Sequence, residues 1–204
     1  MADPRTALVR AARRLSEIGG LPASDGNLSA RVGPRLFWIS PSGIEKRGIT
    51  PDDFLLIDDS GRVTKGDGQP SSEWPMHVAL YGERSEVNCV LHAHPPNLTA
   101  FAAAHRVPKT SVLAEAEAMI GEICLVPYAR PGSTSLGKEI VASGKTPSVY
   151  LLENHGAVAV GGEIEEALHR MERAEFLAQV SLLAEKLNGA IPLTETQLAD
   201  LRRG

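Results

Sequence analysis

Two histidines two residues apart, His92 and His94, close an apolar run that starts at Val87 and stops at Pro95-Pro96. A β-branched run bounded by proline predicts the end of a buried strand. Strand side chains alternate between faces, so both imidazoles point the same way. Two imidazoles converging where a strand ends are placed to bind one transition metal. His155 stands in the turn Asn154-His155-Gly156 between two further apolar runs, where the glycine permits either close backbone approach or a positive φ. Glu73 follows Ser71-Ser72 in the first turn of a predicted helix, where the macrodipole favours a carboxylate. Each residue alone also fits an ordinary structural role. Together, three imidazoles and a carboxylate form a catalytic Zn2+-type ligand set, in which the carboxylate can serve as a base when substrate displaces it. His77, one turn beyond Glu73, is expected in the core or beside the site, and His105 and His169 at the surface.

Three small-residue turns offer backbone donors to an anion: Gly26-Asn27, Ser42-Gly43 and Ser71-Ser72. The last precedes a helix, where unpaired N–H groups and the dipole favour phosphate. Lys46, Arg47 and Lys65 lie nearby and are expected to be solvated charges.

These residues need elements to hold them. Apolar spacing predicts helices over Ala7–Ile18, from Ser71-Ser72 through Tyr81, over Asn97–Ala104, over Ser133–Ser143 and over Glu163–Leu187. Ser71-Ser72 and Ser133 or Thr134 are the expected caps, Pro75 fits only a first helical turn, and Thr194-x-x-Gln197 reads as a capping box for a last short helix. Strands are expected at Leu28–Val32, Leu36–Ser40, Phe54–Asp58, Arg62–Thr64, the His92/His94 run, Ile123–Val126, Val149–Leu152 and Ala157–Val160. Helices interleaved with hairpin-like strands point to a mixed sheet covered on both faces, a three-layer α/β/α domain.

The 204 residues, 43% hydrophobic and 23% charged, suffice for one domain with a substantial core. A net charge of -4 gives no electrostatic case for nucleic acid, and no apolar run approaches a membrane span. Cys89 and Cys124 are isolated, so free buried thiols and a cytoplasmic setting are expected.

Six motifs occur in one order: Asp25-Gly26-Asn27-Leu28-Ser29, Ile39-Ser40-Pro41-Ser42-Gly43, Pro70-Ser71-Ser72-Glu73, His92-Ala93-His94, Pro127-Tyr128-Ala129-x-Pro131-Gly132-Ser133 and Asn154-His155-Gly156. The series resembles the class II aldolase/adducin-head family from about Arg13 to Leu187. The resemblance implies a single domain over residues 1–204, with a central mixed, largely antiparallel sheet between helical layers, assembled as a homotetramer with sites between subunits. It implies Zn2+ held by Glu73, His92, His94 and His155, with substrate phosphate on Asn27, Ser42, Gly43, Ser71 and Ser72. The implied activity is cleavage of a ketose 1-phosphate, as in the family's L-fuculose-1-phosphate branch, to dihydroxyacetone phosphate and an aldehyde. Glu73 is the proton carrier beside the carbonyl. The fuculose branch carries a catalytic tyrosine after the His-x-His helix, but Val107–Leu113 has none. Glu115 is the acid expected in its place, with raised proton affinity from burial among Val112, Leu113, Ala114 and Ala116, and Glu117 is the alternative. Two other readings share the fold: a methylthioribulose-1-phosphate dehydratase-like lyase, and an adducin-like interaction module without chemistry.

Overall fold

The computed structural model of the chain describes residues 3–144 and 146–203. Its order is α1 (Arg5–Glu17), β1 (Asn27–Gly33), β2 (Leu36–Ile39), β3 (Leu55–Asp58), β4 (Val63–Lys65), α2 (Trp74–Glu83), β5 (Cys89–Ala93), α3 (Pro96–Ala103), α4 (Ala114–Met119), β6 (Ile123–Val126), α5 (Thr134–Ala142), β7 (Val149–Leu152), β8 (Gly156–Gly161), α6 (Ile164–Glu185) and α7 (Glu195–Leu201). Short 3-10 turns lie at Lys46–Gly48, Pro51–Asp53 and Thr110–Val112.

The strands form one eight-stranded sheet in the order β4-β3-β2-β1-β5-β8-β7-β6. Every neighbouring pair is antiparallel except β6 with β7. Strand alternation then sorts the side chains into two layers. On one face Leu28, Ala30, Leu91, Ala93, Ala157 and Ala159 pack against α1, α3 and α6 through Leu8, Leu15, Leu98 and Met171. On the other, Val90, Val158 and Val160 meet α2 and α5 through Met76, Leu80, Leu136 and Ile140. This is the expected three-layer α/β/α arrangement around a mixed, largely antiparallel sheet. No helix among the described residues is long and apolar enough to cross a membrane.

Central strand β5 is buried throughout and hydrogen-bonded on both edges, Asn27 standing opposite His92 on β1 and Val158 opposite His92 on β8. The chain leaves β5 through Pro95 directly into α3. There the buried Glu175 of α6 accepts from the backbone N–H groups of Asn97 and Leu98, at 3.0 and 2.8 Å. A carboxylate on those otherwise orphaned donors secures the helix start just beyond His94.

Several local expectations change. Helix α2 takes Glu73, not Ser71 or Ser72, at its N-cap position, and no side chain caps it. Ser71 instead closes a tight turn, its carbonyl accepting from Trp74 N–H at 3.1 Å, so Glu73 sits just outside the helix. Ser133 does precede α5, but its hydroxyl donates back to the Arg130 carbonyl rather than capping. The Thr194–Gln197 capping box forms in full. Both cysteines are free, with Cys89 buried and Cys124 half-buried.

Candidate metal centre and active site

The metal-ligand candidates meet at one end of β5, on the side facing α2. The rings of His92 and His94 lie 4.7 Å apart, His92 and His155 4.7 Å, and His94 and His155 5.3 Å. One ligand atom from each falls within 4.8 Å of the others. Glu73 closes the group, its Oε2 lying 3.1 Å from His92 Nε2 and its Oε1 3.5 Å from His155 Nε2.

His155 reaches the group through a strained turn. Asn154 has φ 54°, and its side-chain Oδ1 is hydrogen-bonded to His105 Nε2 at 2.8 Å. Gly156 is there for close approach: a Cβ on it would stand 2.7 Å from both the Ala93 carbonyl oxygen and His94 Cδ2. The positive φ thus belongs to Asn154, and the glycine makes room for the His94 ring.

The donor set fits a metal. His92 Nδ1 lies 3.0 Å from the Ala157 carbonyl, which only accepts, so Nδ1 carries a proton and Nε2 is left to bind. His92 Nε2, His94 Nδ1, His155 Nδ1 and Glu73 Oε1 are buried without a hydrogen-bond partner. Such orphans cost about 1–3 kcal/mol each. His92 Nε2 and Glu73 Oε1 face into the group, with His155 Nε2 3.5 Å from Oε1, so unpartnered donor atoms of both kinds are left there for a cation. Burial pulls His94 down to about 3 and His155 to about 4, with His92 adding to both, so their lone pairs are free at neutral pH. Burial opposes charge on Glu73 too, but His92, His155 and the Asn27 amide outweigh it and hold the carboxyl well below the usual carboxylate range. His92 is raised: Glu73 outweighs the effect of burial, so a proton or a metal is favoured between the two.

Behind Glu73 runs a buried chain of hydrogen bonds that sequence reading missed. Asn27 Nδ2 donates to Glu73 Oε2 at 2.8 Å, so its Oδ1 is the acceptor for His77 Nε2–H. His77 Nδ1 must then accept, and it takes the Ser29 hydroxyl at 2.6 Å. Ser29 Oγ in turn takes the Tyr81 hydroxyl at 2.7 Å. Burial, with His92 nearby, lowers His77 to about 3, consistent with a neutral ring. Two sequence signals pointed here. The i, i+4, i+8 spacing of Glu73, His77 and Tyr81 is one, and the polar alternation of Asn27, Ser29 and Arg31 on β1 is the other.

The three donor turns converge beside the metal-ligand group. A cavity of about 450 Å³ is lined by Gly26, Asn27, Ser42, Gly43, Ser71 and Ser72, and also by Glu73, His94 and His155. Ser42 N–H bonds the Gln69 carbonyl at 2.9 Å and Ser71 N–H the Ser40 carbonyl at 3.2 Å, joining the second and third turns. Gly26, with φ 74°, turns where a Cβ would stand 2.8 Å from the His92 carbonyl oxygen. A larger groove, about 970 Å³, runs past Arg31, Trp38 and Glu163 and has none of these ligands.

Two expectations about charge need correction. Lys46 is 1% exposed, not solvated, and lines the cavity formed by the small-residue turns. Glu115 is exposed in the first turn of α4, so the burial expected to raise its proton affinity is absent in this chain. It does not line the cavity. Glu117 is engaged elsewhere, accepting from Thr110 at 2.7 Å and from Arg202 at 3.1 Å. His105 and His169 are at the surface, as expected.

A family model described as the Class II Aldolase and Adducin N-terminal domain matches residues 6–182. An L-fuculose phosphate aldolase of Methanococcus maripaludis is 32% identical over 182 residues, 89% of this chain and 98% of its own length. A 5-methylthioribulose-1-phosphate/5-deoxyribulose-1-phosphate aldolase of Rhodospirillum rubrum is 33% identical over 175 residues, 86% of this chain and 78% of the relative. Among solved structures, an L-fuculose 1-phosphate aldolase superposes with a TM-score of 0.87 at 25% identity, covering 98% of this chain and 95% of the other.

Proposed function

The chain belongs to the class II aldolase and adducin N-terminal domain family and is an enzyme of its lyase kind, and on that premise we propose that it cleaves a ketose 1-phosphate to dihydroxyacetone phosphate and an aldehyde. The observation carrying this reading is the cluster of three imidazoles and the Glu73 carboxylate, three of whose members line a cavity shared with the small-residue turns. Glu73, His92, His94 and His155 would hold a divalent metal, Zn2+ by donor type, since imidazole nitrogen and carboxylate oxygen are its usual partners. When bound, it supplies Lewis acidity toward the carbonyl and hydroxyl oxygens of the substrate.

The remaining work falls to the protein. Asn27, Ser42, Gly43, Ser71 and Ser72 hold the phosphate and so orient the sugar against the ligand group. Glu73 takes or returns the proton at the carbon beside the carbonyl, with Asn27 and His77 fixing its carboxylate. An acid at the aldehyde end receives and returns the proton of the departing oxygen. Glu115 fills that role if a neighbouring subunit brings it to the cavity, as a homotetramer with shared sites would do. Exposed Phe176, Leu182 and Leu183 on α6 suit such packing. This reading makes the protein one catalytic domain acting in the cytoplasm.

The deciding experiment is a panel of ketose 1-phosphates, including L-fuculose and 5-deoxyribulose 1-phosphates, assayed for dihydroxyacetone phosphate and for dehydrated diketone. Metal-dependent release of dihydroxyacetone phosphate is expected. Diketone alone would make the enzyme a dehydratase, and absence of both products together with absence of stoichiometric metal would favour an interaction module.

A further inference from the structure

Lysine is almost never fully buried unless it is paired. Lys46, in the 3-10 turn Lys46–Gly48, is nonetheless 1% exposed. Its Nζ donates to the Ser24 carbonyl at 2.9 Å and to the Ile44 carbonyl at 2.7 Å. Ser24 leads into the first donor turn, Gly26-Asn27, and Ile44 follows directly on the second, Ser42-Gly43. One ammonium thus joins the two loops that form one wall of the cavity, and Lys46 itself lines that cavity with them.

Both acceptors are neutral, so they satisfy two of the three N–H donors without cancelling the charge. Burial draws the lysine down and Asp25 acts against it. A desolvated positive charge beside donor-rich backbone is strongly attractive to an anion, because little water intervenes.

We infer that Lys46 is a positioning residue for the anion subsite, tying the first two donor turns together and directing a buried positive charge at a phosphate group in the cavity. The inference rests on the proposed phosphate-bearing substrate. It adds a selectivity element: the site discriminates a dianionic phosphate from a neutral or singly charged terminus through one buried lysine.

The test uses Lys46→Met, which keeps the stem and removes the charge, and Lys46→Ala assayed with and without added ethylammonium. Binding of inorganic phosphate and of dihydroxyacetone phosphate is measured by calorimetry on metal-loaded protein. KM and kcat are measured for the cleaved ketose 1-phosphate, with metal content as a control. Lys46→Met is expected to weaken phosphate binding roughly tenfold or more, the scale of one charge-assisted contact, and to raise KM more than it lowers kcat. Metal content should stay at the parent level. Ethylammonium should restore phosphate binding to Lys46→Ala, and neutral propanol, of similar size, should not. Parent-like phosphate affinity in Lys46→Met overturns the inference. Equal rescue by propanol also overturns it, leaving a filler of space. If Lys46→Met does not fold, the rescue arm on Lys46→Ala decides. Failure of the parent itself to bind phosphate overturns the phosphate reading first and this inference with it, a result distinct from either variant outcome.

Discussion

The Asn27 side chain stands between Glu73 and His77, donating to the carboxylate at 2.8 Å and accepting from the imidazole on its other side. Because an amide has one donating and one accepting end, this fixes its orientation and fixes His77 as the Nε2–H tautomer. It also occupies Glu73 Oε2 and leaves Oε1 facing His155. Asn27→Leu removes both bonds while keeping the branched shape of the side chain. We expect a loss of about 1–3 kcal/mol in unfolding free energy from the groups left unpaired. Metal affinity should fall roughly 10–100-fold, the scale for partners that orient a ligand. Chelator competition and denaturant unfolding read the two effects separately, and parent-like metal affinity would disconnect Asn27 from Glu73.

Gly156→Ala tests the packing of the ligand group itself. The added methyl would meet His94 Cδ2 and the Ala93 carbonyl oxygen, each at 2.7 Å. The ring is the softer neighbour, so it turns. Stability should drop by about 1–3 kcal/mol, as in other overpacked cores, with weakened metal binding measured by equilibrium dialysis. Destabilisation with undiminished metal affinity would show that His94 does not bind it.

Glu115 and Glu117 make opposite predictions. Glu117 ties α4 to Thr110 and to Arg202 at the end of α7, so Glu117→Gln should loosen the C-terminal helix and barely touch turnover. Glu115→Gln should cut kcat by roughly 10²-fold or more, the usual effect of a lost acid, at full metal content. Parent-like turnover in Glu115→Gln would move the proton to another group, Tyr128 or water being the candidates.

Acid stability carries a signature of the β3–β4 turn. Asp58 accepts from the Ser60 hydroxyl and also from Ser60 and Arg62 N–H, and these bonds together outweigh desolvation and bring its carboxyl from 3.8 down to about 2. A carboxyl whose folded value lies below its unfolded one stabilises at pH values above the unfolded value, and that contribution fades as pH falls through the folded one. Asp58→Asn should therefore melt below the parent at neutral pH. The gap should close between about pH 4 and pH 2, as followed by circular dichroism. A gap constant over that window would refute the assignment.

What the sequence disclosed follows from the range of the forces involved. Strand alternation alone brings His92 beside His94, and helix period sets His77 beside Glu73, so these were legible; the hydrogen-bond chain onward through Ser29 and Tyr81 joins two elements distant in sequence and was not. The ordered motifs brought His155 and the donor turns into the same site. Lys46 was misread because its burial depends on carbonyls at Ser24 and Ile44, set by loop closure rather than by any local pattern. Glu115 was misread for the reverse reason: apolar neighbours along a short helix do not bury a residue on its outward side, and α4 presents Glu115 to solvent while Ala116 enters the core.

The burial of β5 sets how a metal could come and go. Backbone amides of Leu91 and His92, paired on both edges, should exchange with deuterium only when the whole protein opens. His155 sits instead in a turn held by a left-handed asparagine and a surface histidine, and Glu73 sits outside the first helical turn. If the ligand group holds an ion as proposed, we expect its route to run past those two residues while the central strand stays closed. Metal exchange and unfolding should run on separate clocks: loosening the His105–Asn154 contact should speed the first and leave deuterium uptake by β5 unchanged.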